Sequence, residues 1–281
     1  MKRVPVLALL AALILASAIA PVNTIAEETP QQATVVLEKT KEVLMPSQPT
    51  LRKVTITINA GGDSMRTLTG AQALKKSPEG RQMLFVILEP ADMKGTAYLM
   101  REQKSNENKM HLYVPSMRRV REIESEQQYD RFLGTDYTYF DLGFLRHSSD
   151  YVLQGEEDYA GTRAYKLEEK IALPRSFYSR IILWVAKESQ LPLERHYYDQ
   201  ANRLWKVERF DEVAMVSGVP TPMKITMKDI QKDTSTVLQL REVQYCGELD
   251  EALFNPQNLP EAAAFPIWEP FCTLPTKAPG Q

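Results

Sequence analysis

In Arg52-Lys53-Val54-Thr55-Ile56-Thr57-Ile58-Asn59-Ala60, polar and apolar side chains alternate from Lys53 onward. Successive side chains of an extended strand point to opposite sides, so Val54, Ile56, Ile58 and Ala60 share one face. Asn59-Ala60-Gly61-Gly62-Asp63 supplies a turn, and Met65 to Leu74 returns as a second strand. Working outward, Met83 to Leu88 is apolar on both faces, as expected of a strand covered on both sides. Thr96–Met100 and Met110–Val114 flank a polar loop and read as a hairpin, and Met117–Ile123 follows with basic residues on both faces. Further runs lie at Tyr151–Glu156, Ala164–Ile171, Arg180–Ala186, Leu193–Tyr198, Leu204–Val213, Met223–Asp229 and Thr236–Tyr245, with turn residues between them.

Short connections join antiparallel neighbours, so this order predicts a meander. Strand twist accumulates, and a single sheet of this size has to curl. The expected fold class is mainly β (α+β): a curved antiparallel sheet of about ten to eleven strands forming a half-barrel, with one or two helices over the concave face. One helix is expected before the first strand. Val36, Lys39, Thr40, Val43 and Leu44 recur at spacings of three and four, and Pro46 and Pro49 stop the run. A short helical turn is expected over Glu248–Leu259, followed by a Pro/Ala-rich tail, 261–281, that Phe265, Ile267, Trp268 and Phe271 would pin.

The N-terminus predicts the compartment. Lys2 and Arg3 precede the apolar run Val6–Ala16, and Ala16-Ser17-Ala18 and Thr24-Ile25-Ala26 both offer small residues for cleavage. This pattern predicts a cleaved signal peptide within residues 1–26 and a periplasmic location, with an uncleaved anchor as the alternative. Removing Lys2 and Arg3 leaves 34 − 2 = 32 basic against 36 acidic residues, a net charge of −4. Such mild acidity argues against a general nucleic-acid binder. Cys246 and Cys272 permit a disulfide in an oxidising compartment, or else stay as two buried thiols, and two cysteines so far apart are no zinc signature.

Catalytic patterns are missing from the sequence. His111, His147 and His196 have no metal-ligand spacing, there is no GxSxG elbow, and Gly61-Gly62 sits in a hairpin turn rather than between strand and helix. Asp136, Asp141 and His147 are near enough in sequence for an acid/base group, but solvated loop residues are the commoner outcome. No enzymatic activity, cofactor or metal is therefore expected.

Two neighbouring stretches stand out instead. In Tyr113-Val114-Pro115-Ser116-Met117-Arg118-Arg119-Val120-Arg121, strand alternation puts Arg119 and Arg121 on one face and Arg118 on the other. They are candidates for an anionic head group, a membrane surface or a partner, or for plain edge protection. The loop Phe132–Leu142 carries Phe132, Leu133, Tyr137, Tyr139, Phe140 and Leu142 beside Asp136 and Asp141. It is too apolar to stay solvated. It either plugs the core or lids a cavity, and a lid over an apolar cavity does both. Eleven methionines, several on strands, would suit a pocket for flexible acyl chains or ordinary core.

With these residues in view, the chain resembles the periplasmic outer-membrane lipoprotein-sorting proteins related to LolA. The resemblance rests on Pro90–Leu99, the Tyr-Val-Pro-x-x-Arg-Arg-Val-Arg strand and the Phe-Leu-Gly-Thr-Asp-Tyr-Thr-Tyr-x-Asp-Leu loop. It extends through Ala186–Glu188, Pro192–Arg195 and Phe254-Asn255-Pro256. It covers roughly Val35 to Leu259, within an expected domain 33–260. The resemblance implies a half-barrel with helices over its mouth and an apolar cavity that carries lipid or lipoprotein acyl chains between envelope membranes. It also implies partners at an inner-membrane transporter or exporter, or at an outer-membrane acceptor. A polar contact between sheet and lid can govern opening in such carriers, and Arg119, Arg121, Asp136 and Asp141 are the candidates for it here. The alternative is a sensor or interaction module that binds a membrane protein partner.

Overall fold

The computed structural model describes residues 30–62, 64–103, 108–142, 151–171 and 176–269. One helix, α1 (Pro30–Leu44), precedes six strands: β1 (Thr50–Asn59), β2 (Met65–Lys76), β3 (Arg81–Glu89), β4 (Ala97–Arg101), β5 (Lys109–Val114) and β6 (Arg119–Glu122). A connection follows that contains the one-turn helix α2 (Tyr139–Leu142). Seven more strands complete the sheet: β7 (Tyr151–Tyr159), β8 (Thr162–Lys170), β9 (Tyr178–Ala186), β10 (Pro192–Asp199), β11 (Leu204–Val216), β12 (Val219–Asp229) and β13 (Thr234–Tyr245). Short 3-10 turns at Glu251–Phe254, Pro256–Ala264 and Pro266–Trp268 end the described chain.

All 13 strands form one antiparallel sheet in the order β6-β5-β4-β3-β2-β1-β13-β12-β11-β10-β9-β8-β7. The expectation of ten to eleven strands was therefore too low. Even the four-residue β6 and the five-residue β4 pair along their length, because a hairpin connection brings each short segment a partner. The sheet is curved but not closed: β6 and β7 are its two edges. The first and last strands sit together in the middle, where Ile56 faces Leu238 across β1 and β13.

This topology places the link between β6 and β7. Those strands are consecutive in sequence but lie at opposite edges, so the intervening chain has to travel across the sheet. Its described part, up to Leu142, lies over the inner face, where Phe132 and Tyr139 pack against Ile56, Phe85, Tyr98 and Met100.

β3 shows the two-sided burial that its composition requires. Met83, Phe85 and Ile87 face inward, whereas Leu84, Val86 and Leu88 face outward beneath Leu253, Phe254, Leu259 and Trp268. The C-terminal 3-10 turns thus cover the outer face of the first half of the sheet. Gly70 on β2 leaves room for the Phe85 ring, since a Cβ there would lie 2.4 Å from Phe85 Cζ.

α1 covers the inner face of the other half. Ala33, Val36, Leu37 and Leu44 pack on Tyr151, Leu153, Leu167, Leu183, Val185 and Phe210. The buried stripe also includes Thr40 and Lys41, while Lys39, expected on that face, is exposed. Thr40 is accommodated because its hydroxyl donates to the carbonyl of Val36 at 2.9 Å.

Candidate functional site

A cavity of about 130 Å³ lies between the inner face and the β6–β7 connection. Its walls include Val54 and Ile56 of β1, Leu74 of β2, Met83 and Phe85 of β3, Tyr98 of β4, Ile225 of β12 and Leu238 and Leu240 of β13. Phe132, Thr135, Tyr137, Asp141 and Leu142 line it from the connection, and Leu44 and Met45 from the end of α1. For scale, an apolar cavity of about 150 Å³ stays dry and takes a molecule the size of benzene.

The connection is built from local motifs. Glu124 accepts from the backbone N–H of Gln127, whose side chain accepts from the N–H of Glu124, and this reciprocal pair starts the turn Ser125–Tyr129. Phe132 N–H donates to the Tyr137 carbonyl at 2.8 Å, and Thr135 N–H to the Phe132 carbonyl at 2.9 Å. Leu133 and Gly134 turn the chain with φ of 51° and 80°, the left-handed region that glycine adopts at no steric cost. Thr138 and Asp141 then cap each other: Thr138 N–H donates to Asp141 Oδ2 at 2.7 Å, and Asp141 N–H to Thr138 Oγ1 at 3.2 Å. That exchange starts α2.

The aromatic residues of this segment separate into two groups. Phe132 meets Tyr98 edge-on with centroids 5.3 Å apart, and Tyr139 packs behind it, 5.7 Å from both rings. Phe140 turns away from the cavity and stacks on Tyr129 at 5.0 Å. Of the six residues singled out in the sequence, Phe132, Tyr137 and Leu142 line the cavity. Tyr139 and Leu133 support the cluster around Phe132, and Phe140 belongs to the adjoining cluster with Tyr178.

Asp136 and Asp141 are buried and bind the segment to the sheet. Asp136 Oδ2 accepts from Thr236 Oγ1 at 2.8 Å, and its own N–H donates to the same hydroxyl at 2.8 Å. Its Oδ1 accepts from Thr234 Oγ1 at 2.5 Å and from Arg131 at 3.2 Å. Lys206 Nζ donates to the Asp136 carbonyl at 2.7 Å, to Tyr178 Oη at 2.8 Å and to Asp141 Oδ2 at 3.3 Å. The three N–H donors of the ammonium have one partner each. Tyr178 Oη also donates to Asp141 Oδ2 at 3.1 Å. Burial, and then the negative charge of Asp141, push the Tyr178 hydroxyl well above its ordinary range.

Beside this group, Arg195 lies 3.5 Å from Glu208 Oε2, which also accepts from Tyr197 Oη at 3.0 Å. Glu208 lines the cavity. Burial raises its carboxyl above the usual range, against the opposing pull of Arg195.

The basic strand does not supply the partners of the two aspartates. Arg118 sits at φ 48° at the end of the turn Pro115–Met117, and Arg119 is exposed on the edge strand β6. Arg121 approaches Gln127 Oε1 at 3.4 Å and interacts with the Tyr139 hydroxyl. The sheet residues holding Asp136 and Asp141 instead come from β9, β11 and β13, far along the chain. The sequence reading passed over Lys206, Tyr178, Thr234, Thr236, Arg195 and Glu208. The available signal was period two: Lys206 and Glu208 share a face with Phe210, so a buried strand face carries two charges.

Cys246 is half-buried just after β13, whereas Cys272 and His147 lie outside the described residues. The signal-peptide region also lies outside them. Among the described residues no group of three or more His, Cys, Asp or Glu is arranged to hold a metal ion.

Comparisons with known proteins agree with this architecture. A family described as an uncharacterized protein family matches residues 79–261. No curated protein matches the chain. A DUF1329 family protein from Desulfovibrio piger is 26% identical, with a TM-score of 0.74 over 83% of this chain and 99% of its own. A putative outer membrane lipoprotein-sorting protein domain from Vibrio parahaemolyticus is 20% identical, with a TM-score of 0.74 over 83% of this chain and 100% of its own. A LolA superfamily protein from Nitrosomonas europaea is 22% identical, with a TM-score of 0.64 over 79% of this chain and 97% of its own. The family match spans well over half of the chain, and the chain belongs to that uncharacterized protein family, with the fold that the lipoprotein-sorting domain and the LolA superfamily protein share.

Proposed function

We propose that this protein is a periplasmic carrier that holds the acyl chains of a lipid or lipoprotein and moves them between envelope membranes, without chemistry of its own. The observation that carries this reading is the apolar cavity roofed by Phe132, Tyr137 and Leu142. Affinity would come from burying acyl surface, about 0.8 kcal/mol for each methylene. A benzene-sized space does not hold a full acyl chain, so loading requires the 132–142 segment to move outward as a lid. Asp136 and Asp141, held by Thr236, Thr234, Tyr178 and Lys206, are then its latch. Buried polar contacts of this kind specify one closed position rather than adding much net stability. Arg118 and Arg119, exposed at the edge of the sheet where β6 begins, are left to meet an exporter or acceptor in the membrane, whereas Arg121 contacts Gln127 and Tyr139 of the connection.

The test is mass spectrometry of organic extracts from the purified protein, paired with uptake of a fluorescent acyl probe. Co-extracted lipid and saturable uptake support the carrier. Repeated absence of lipid together with no uptake rejects it.

A further inference from the structure

Arg52 is the cation that lines the cavity without a counter-charge. It faces inward from β1, opposite Gln72 on β2, and both side chains form part of the cavity wall. Only 9% of Arg52 is exposed. Its Nη2 donates to the carbonyl of Leu44 at 2.8 Å, in the last turn of α1, where a positive charge also suits the helix dipole. Its Nε is buried and makes no hydrogen bond.

Among the described residues Arg52 takes part in no ion pair, whereas the other buried cations nearby each have a carboxylate. Lys206 has Asp141, Arg195 has Glu208 and Arg81 has Glu42. Burial pushes the Arg52 guanidinium down to about 10, and the one titratable group that opposes the shift is Tyr245. Buried charges are ordinarily paired, because an unpaired one is costly to remove from water. Capping α1 uses one donor of five and leaves the charge uncompensated. Guanidinium groups match carboxylate and phosphate oxygens in a two-pronged geometry.

We propose that the cavity takes amphiphiles with an anionic head, a carboxylate or a phosphate, whose oxygens pair with Arg52 and Gln72 inside the cavity. The acyl chain then extends along Val54, Ile56 and Leu238 toward Phe132. This assignment rests on the carrier reading and names the class of ligand. It also moves head-group recognition from the arginines at the β6 edge to the interior.

The experiment is competition of dodecanoate, dodecyl phosphate and dodecanol against a fluorescent acyl probe, on the full protein and on its Arg52→Gln and Arg52→Lys variants. At least one of the two anions should bind the parent protein tenfold or more tightly than dodecanol. Whichever anion wins identifies a free fatty acid or a phospholipid as the class of source. Arg52→Gln should abolish that preference while leaving dodecanol affinity within about twofold, and Arg52→Lys should retain part of it. Equal affinity of the parent for all three compounds overturns the assignment but leaves the carrier reading intact, and the parent comparison decides this even if Arg52→Gln does not fold. Retained preference in a folded Arg52→Gln variant overturns it too. Failure of every dodecyl compound to bind removes the carrier reading itself.

Discussion

Lys206 shows how much one side chain can organise. It lies on a strand whose sequence, Leu204-Trp205-Lys206-Val207-Glu208, looks like ordinary alternation with charged residues toward solvent. The curvature of the sheet and the crossing connection turn that polar face inward, and the ammonium then needs partners. Asp141, the Asp136 carbonyl and Tyr178 supply them. Removing one member of such a buried pair leaves the other charge stranded, at a cost of about 3–5 kcal/mol. Lys206→Met should therefore lower the urea midpoint by a corresponding amount, and adding Asp141→Asn should restore part of the loss. If the double variant is as unstable as the sum of the two single variants, the pair is not coupled as described.

At the level of elements, the β10–β11 hairpin is a turn held by one carboxylate. Asp199 Oδ1 accepts from the N–H groups of Ala201 and Arg203 at 3.0 and 2.9 Å, and Oδ2 accepts from Arg203 Nε at 3.0 Å and Gln231 Nε2 at 3.1 Å. The backbone N–H of Arg203 is the largest cause that brings the Asp199 carboxyl down from 3.8 to about 2. A depressed carboxylate pKa contributes stability that is present above the unfolded value and lost as pH falls through the folded one. The gap in urea midpoint between the parent and Asp199→Asn should therefore be full at pH 5 and shrink between about pH 4 and pH 2. A gap that stays constant across that range would refute the role given to the charge. The turn residues were legible in the sequence, since Asp199-Gln200-Ala201-Asn202 is a recognisable turn signal. The contact to Gln231 was not, because it comes from the neighbouring β12–β13 turn.

For the whole molecule, two coverings on opposite faces stabilise one long sheet. The 132–142 segment and α1 cover the inner face, and the C-terminal 3-10 turns cover the outer face of β1–β5. Trp268 is 1% exposed and its indole N–H donates to the Ala262 carbonyl at 2.7 Å. Trp268→Ala should cost about 3–5 kcal/mol in urea or thermal unfolding. Because it lies on the face away from the cavity, acyl-probe uptake by the folded variant should stay near that of the parent. A stable variant with lost uptake would contradict the separation of the two faces. The sequence by itself determined where most of the strands lie, their antiparallel succession, the double-sided burial of β3 and the apolar character of the 132–142 segment, though not the full count of 13 strands. Those follow from periodicity and turn chemistry, which act over a few residues. Only the tertiary structure decided that β1 pairs with β13, that the described part of the β6–β7 connection lies over the inner face, that Lys206 rather than an arginine of β6 meets Asp141, and that Arg52 faces a cavity. Pairings between residues as distant as Asp136 and Thr236 depend on sheet curvature and strand order, and no local pattern encodes which polar side chain will find itself enclosed.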